Sequence, residues 1–196
     1  MNNYDYIPCI VKETAEGLTR VPIQDLMFQR RSIELVGEIT IEAVYSVILQ
    51  LRYLQLNDPD AEITIYINSP GGEVSSGLAL YDVMAGLSCP IRTVCVGTAA
   101  SMAALLFVSG AQREMLPHSR LMIHDPLIPG GVGGSALRLD AIARDLMQTR
   151  EVAAGIIAGH SGHTLEEVYA KTATDSFFSA QEAVAWGLAD RIADKL

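Results

Sequence analysis

Three side chains in this 196-residue chain are of types that together can cleave an acyl bond: Ser101, His124 and Asp175. A serine hydroxyl is a weak nucleophile near neutral pH. A neutral histidine can take its proton, and a carboxylate can orient the imidazole and stabilise its charged form. The order Ser, His, Asp along the chain proves nothing, because the same geometry arises in several orders. Each residue also has an ordinary explanation. Ser101 fits as a small helix-start residue, His124 as a satisfied structural histidine before Asp125-Pro126, and Asp175 as a loop hydrogen-bonding group before Phe177-Phe178.

The setting of Ser101 adds to the case. GTAASM at 97–102 lies between an apolar strand candidate, Ile91–Val96, and an apolar helix candidate, Met102–Val108. A serine at such a junction can be held on a tight turn beside the N–H groups of the new helix. A second turn, Ser69-Pro70-Gly71-Gly72, follows another apolar strand. If the N–H groups of Gly71 and Met102 converge, they form an oxyanion hole for the oxygen that becomes negative when Ser101 attacks a carbonyl. The alternative is a plain strand-to-helix turn. GxGxxG spacing is absent, so a dinucleotide fingerprint is excluded.

The elements that must position these groups alternate between strands and helices. Ser32–Val36 reads as a short strand, and Thr40 as the cap of a helix to about Leu56 with apolar Val44, Val47, Ile48, Leu51 and Leu54. Ile63, Ile65 and Ile67 alternate with Glu62, Thr64 and Tyr66, as in a strand. A helix to about Gly86, the strand 91–96 and a short strand Leu121–Ile123 follow. Gly130, Gly131, Gly133 and Gly134 disfavour a core helix and predict a flexible strand or loop before a long helix at about 136–159. Thr164 with Glu167, and Ser179 with Glu182, can form capping boxes, and Gly187 can end the second helix. The fold class expected is α/β, with helices covering both faces of a sheet. A mobile or partner-dependent arm is expected around Pro8–Arg20, with a short helix after it at Ile23–Gln29.

Length favours a single domain. With 49% hydrophobic residues the chain can build a core, and a formal charge of -9 opposes non-specific binding to nucleic acid or anionic membrane. The start, MNNYDYIPCI, lacks the features of a secretory signal, and no apolar run reaches membrane-spanning length, so a cytoplasmic location is expected. Cys9, Cys89 and Cys95 have no metal-ligand spacing and read as structural thiols. No cofactor or metal is expected.

Several ordered motifs resemble the ClpP family, the proteolytic subunit of energy-dependent proteases. They are YINSPGG at 66–72, Leu80-Tyr81-Asp82, GTAASMAALLFVSG at 97–110, LPHSRLMIHDPL at 116–127 and TDSFFSAQEAVAWGLAD at 174–190. The likeness runs from Ser32 onward, and IPCIVKETAEG at Ile7–Gly17 more weakly resembles the family's axial segment. It implies residues 1–31 as axial segment and short helix, and 32–196 as one ClpP-like domain with a handle at about 125–159. Implied too are the ClpP/crotonase-type fold and two stacked heptameric rings, a tetradecamer, enclosing the sites.

In these terms Ser101 is the nucleophile, His124 the base, Asp175 its orienting carboxylate, and Gly71 with Met102 the oxyanion-hole donors. The resemblance implies hydrolysis of unfolded protein substrates through an acyl-enzyme, fed by an AAA+ unfoldase such as ClpX, ClpA or ClpC that hydrolyses the ATP. Gly130–Ser135 takes the place of the handle strand, which pairs with extended substrate.

The chain departs from the family in the segment Leu127–Gly130, longer by two residues, in Thr174 where arginine is usual, and in Arg138 where an acidic residue is common. Thr64 and Gly86 stand where larger aromatics line the docking groove, although Tyr66 is retained. Weaker unfoldase docking is expected, relieved in mixed rings with a second ClpP-like subunit. Two other functions stay in view: a catalytically weak or regulatory subunit of such a mixed ring, and a crotonase-like acyl-thioester hydratase or isomerase, which would not need the three residues to form a triad.

Overall fold

The computed structural model describes residues 8–15 and 17–194. The readings of the first seven residues, and part of the axial segment expected at Ile7–Gly17, lie outside them. The chain opens with an antiparallel hairpin, β1 (Cys9–Thr14) on β2 (Gly17–Pro22), followed by α1 (Ile23–Gln29). Strands thus occupy the region read from sequence as an arm. Their outward side chains, among them Val11 and Leu18, are exposed, so the pattern carries no buried face that would announce a strand.

The rest is α/β. Strand β3 (Ser32–Val36) leads to α2 (Ile41–Asn57), β4 (Ile63–Ser69), α3 (Val74–Gly86), β5 (Ile91–Ala100), α4 (Met102–Val108) and β6 (Gln112–Met115). After these come β7 (Arg120–Ile123), α5 (Ala136–Ser161), α6 (Leu165–Thr172), β8 (Ser176–Ser179), α7 (Ala180–Ala185) and β9 (Arg191–Ile192). The sheet runs β3-β4-β5-β6-β9, all parallel, while β7 pairs with the far end of β5 and carries β8 antiparallel on its other side. Ile33, Ile63, Ile65 and Ile67 are fully buried in it, as expected for strands covered on both faces.

Helix ends are set by particular side chains. Thr40 accepts from the Ala43 N–H, and Val44, Val47, Leu51 and Leu54 recur at helical spacing on the buried face of α2. At the other end, the Arg31 guanidinium donates to the carbonyls of Leu54, Asp58, Ala61 and Glu62, tying the helix exit to the start of β4. Both expected capping boxes form, Thr164 with Glu167 and Ser179 with Glu182. Gly187, with φ +74°, follows the end of α7.

Two differences from the sequence reading concern the site. The strand expected over 91–96 runs on to Ala100. No strand forms over Gly130–Ser135, where the resemblance implied one: Gly130 and Gly131 take φ of +81° and +84°, which breaks an extended run. The long helix α5 then starts at a Ser135 cap and ends at the left-handed Gly162.

Arg113 on β6 closes the far end of the domain. Its side chain donates to the carbonyls of His160 and Gly187 and pairs with Asp190, whose carboxylate also accepts from the Arg113 backbone N–H. Burial would raise the Asp190 carboxyl above its ordinary 3.8, but the hydrogen bonds and charge of Arg113, helped by Arg191, outweigh it and hold the group lower. His160 is held below its ordinary 6.5, first by burial and then by the Arg113 charge. Both shifts place the lost stability on the acid side: His160 begins to resist folding as pH falls below 6.5, and the Asp190 contribution, complete above 3.8, fades as pH drops through its lower folded value. Asp190→Asn should lower Tm by a few degrees at neutral pH, with the gap to the unaltered protein closing as pH falls from 3.8 through the lower folded value. Thermal melts across pH check this, and a gap constant with pH would refute it.

Candidate active site

The serine is delivered by an irregularity in β5. Its register with β4 runs from Ile63↔Ile91 to Ile67↔Cys95 and then shifts to Ser69↔Ala99, leaving a bulge on β5 around Gly97. The Asn68 side chain fills the gap, accepting from the Thr98 N–H at 3.1 Å, and a Cβ on residue 97 would lie 2.6 Å from Asn68 Oδ1. Before the bulge β5 pairs with β6; after it, Thr98–Ala100 pair with Arg120–Met122 of β7. The small residues of GTAAS therefore carry a strand that changes neighbours.

At its end Ser101 takes φ +55° and ψ −124°, a conformation that costs a non-glycine residue about 1–3 kcal/mol. It is held there by its N–H, which donates to Met122 O at 2.9 Å, while its carbonyl accepts from Ala104 and Leu105 in the first turn of α4. All seven residues of α4 are buried, which anchors the turn from behind.

His124 follows β7 directly, so the strand that holds Ser101 also supplies the histidine. His124 Nε2 lies 2.8 Å from Ser101 Oγ. The β7–β8 ladder pairs Ile123 with Ser176, and one step further its register sets His124 opposite Asp175. His124 Nδ1 lies 3.3 Å from Asp175 Oδ1, with the His124 side chain 15% and the Asp175 side chain 61% exposed. Three residues expected from sequence to act together are thus adjacent, on three separate segments.

The SPGG turn lies on the other side of Ser101. Gly71 has φ +94°, and a Cβ there would come within 2.6 Å of Ala100 O, 2.8 Å of Ser101 Cβ and 3.1 Å of Met102 N. A Cβ on Gly72, with φ +154°, would come within 2.3 Å of the carbonyl oxygen of Ile39, whose N–H donates to Gly71 O and whose carbonyl accepts from Glu73 N–H. The turn is therefore pinned between the chain after β3 and the serine junction. The Gly71 N–H itself donates to Ser69 Oγ at 3.1 Å, closing a small side-chain turn. Met102 is buried, its side chain filling space left by Gly77 on α3.

A groove of about 560 Å³ passes Ser101 and His124, bordered by Glu38, Pro70, Gly72 and Leu127. A shallow recess beside the serine is lined by Val74, Met102, Leu105, Pro126 and Ala153. Sequence reading named Asp125 only as a neighbour of His124 and missed Arg150 and Thr172, both of which bond to its carboxylate. A polar side chain on the long helix gives no sign in sequence of which strand end it will meet. Among the described residues, no three His, Cys, Asp or Glu side chains gather in a way that could hold a metal ion.

An α/β fold that brings a serine at a strand-to-helix turn to within 2.8 Å of a histidine, itself 3.3 Å from a carboxylate, offers the side chains of a serine hydrolase. The sequence model of one family, described as Clp protease, matches residues 15–196. The chain belongs to this family of serine proteases. We expect Gly71→Ala to lower the rate of Ser101 acylation by at least about 100-fold, because the added methyl displaces the junction against which it abuts. Labelling kinetics with a serine-directed acyl probe measure this; a rate within threefold of the unaltered protein would refute it.

Proposed function

We propose that the chain is a serine endopeptidase subunit that hydrolyses peptide bonds of unfolded proteins through Ser101, His124 and Asp175. The observation that carries the reading is the 2.8 Å approach of His124 Nε2 to the hydroxyl of a serine held at positive φ. With Asp175 accepting from the Nδ1–H, the Nε2 lone pair is free to receive the Ser101 proton as Oγ attacks the carbonyl. His124 then gives that proton to the departing amine, and a water activated by the same nitrogen releases the acyl fragment. Asp175 stays anionic throughout.

The developing oxyanion is received by the N–H groups of Gly71 and Met102. Met102 opens α4, where helix geometry leaves the first N–H groups without an intrahelical acceptor. The Gly71 N–H must exchange its Ser69 hydroxyl partner for the oxyanion, a stronger acceptor. The recess of Val74, Met102, Leu105, Pro126 and Ala153 is apolar but holds only about 20 Å³, the space of a single water rather than of a side chain. An extended substrate lies in the groove past Gly72 and Leu127 by main-chain pairing, which reads little sequence.

The family membership supports self-association into stacked heptameric rings of the ClpP/crotonase type, with an AAA+ unfoldase supplying ATP-driven unfolding. Cys89 and Cys95, both buried and in no disulfide, suit the reducing cytoplasm. A crotonase-like reaction on an acyl thioester is disfavoured, because it would give the Ser101–His124 contact no role. A mixed ring has one observation in its favour. Thr174 beside Asp175 is uncharged and exposed, so an assembled neighbour could contribute to holding the carboxylate that is 61% exposed in the single chain.

Two measurements test this reading. A fluorophosphonate should label the assembled protein at Ser101 and fail on Ser101→Ala, whereas no labelling of a protein verified as assembled would refute the mechanism. Docking of a standard unfoldase should be weak. Thr64 is nearly buried with its hydroxyl accepting from Arg92, and Gly86 presents no side chain, so the aromatic area expected at both positions is missing. Binding of homomeric rings to the unfoldase at least about tenfold weaker than that of rings containing a more typical subunit is the expected result; equal affinity would refute it.

A further inference from the structure

We propose that Asp125 is a positioning residue whose carboxylate clamps the chain just past His124 to the end of α6 and so keeps His124 and Asp175 opposite one another. The inference rests on the reading of those two residues as base and orienting carboxylate. The problem it solves is visible in the ladder. Paired β7 and β8 stop at Ile123↔Ser176, one step short of the His124–Asp175 pair, and strand ends beyond the last ladder bond are free to fray. Asp175 is largely exposed, so packing does not hold it either.

Asp125 bridges the gap with three bonds. Its N–H donates to Thr172 O at 2.8 Å, its Oδ1 accepts from Thr172 Oγ1 at 2.6 Å, and its Oδ2 accepts from Arg150 Nε at 2.6 Å. Each partner is itself fixed. Thr172 is buried at the last turn of α6, and the Arg150 guanidinium from α5 lies 4.0 Å over the Tyr169 ring. On the other side of Asp175, Ser176 Oγ donates to Lys171 O at 2.7 Å. The segment carrying Asp175 is therefore closed at both ends, leaving only Ala173, Thr174 and Asp175 between the two fastenings.

Charge explains why the clamp can be a carboxylate. An unpaired anion next to His124 would compete with Asp175 for the imidazole N–H and pull it out of line. Paired with Arg150 and hydrogen-bonded to Thr172, the Asp125 oxygens are engaged elsewhere, and charge-assisted bonds of this length are among the stronger ones. The long helix α5 thereby gains a direct hold on the geometry of the site, through one guanidinium.

The test uses the full chain, with assembly checked by size. The kcat and KM for a short fluorogenic peptide, and the Ser101 labelling rate with a fluorophosphonate, are measured for Thr172→Val, Thr172→Ser and Asp125→Asn. Thr172→Val and Asp125→Asn should each lower kcat and the labelling rate per assembled site by about tenfold, with KM within about twofold, while Thr172→Ser restores near-normal values. A merely structural role would reduce the amount of assembled protein and leave the per-site kcat unchanged, which would overturn the proposal. If Thr172→Val does not assemble, the isosteric Asp125→Asn decides between the same two outcomes. Failure to label the unaltered protein at Ser101 overturns the catalytic reading and the clamp together. A labelled unaltered protein with both variants equally fast overturns the clamp alone.

Discussion

One backbone hydrogen bond fixes the spacing on which the site depends: the Ser101 N–H donating to Met122 O. Because Met122 is two residues before His124, that bond sets the serine and the histidine relative to each other through a rigid ladder rather than through two independent loops. The same strand, β7, then pairs on its other edge with β8, whose antiparallel register carries Asp175 to the far side of the imidazole. A short central strand thus measures both distances. A one-residue slip of β7 against either neighbour would turn side chains to the opposite face and separate the three groups at once.

For β7 to reach Ser101, β5 must first leave β6. The bulge at Gly97 achieves this, and it needs two residues of unusual fitness: a glycine with no Cβ to meet Asn68, and an asparagine whose side-chain oxygen replaces the strand partner that the Thr98 N–H has lost. The strain at Ser101 is supported by the burial of α4 behind it and by Gly71 in front, where only a glycine leaves room for Ala100 O. Small residues at these positions are consequences of close backbone approach, and the close approach is what aims the hydroxyl.

This origin explains what the sequence could reveal. The apolar alternation of Ile63, Ile65 and Ile67, the Thr40 cap and the two capping boxes depend on local chemistry, and they were legible as such. Ser101, His124 and Asp175 stood out by type and by the turns around them. From sequence β5 ends at Val96, because Gly97 and Thr98 look like a turn, and only the distant Asn68 makes them extended. Strands β6, β8 and β9 each carry at most two apolar residues, too few to declare a strand, whereas the equally short β7 is legible through its apolar run Leu121–Ile123. The glycines at 130–134 read as a flexible strand or loop, and the chain turns there; the handle strand came from the resemblance alone, and positive φ at Gly130 and Gly131 breaks such an extended run.

The surface left over follows the same division between what one chain can satisfy and what it cannot. Helix α2 buries Val44, Val47, Leu51 and Leu54 while presenting Ile41, Tyr45, Leu49, Tyr53 and Leu56 outward, a second apolar stripe at helical spacing on the opposite face. Near the site, Leu127, Ile128 and Val132 are exposed beside Leu139 of α5. Apolar groups scattered singly need no explanation, whereas rows of them do. Ring assembly of the kind proposed above would cover both rows with one cause. The contact between Ser101 and His124, by contrast, is set entirely within the chain, by the ladder that joins β5 to β7.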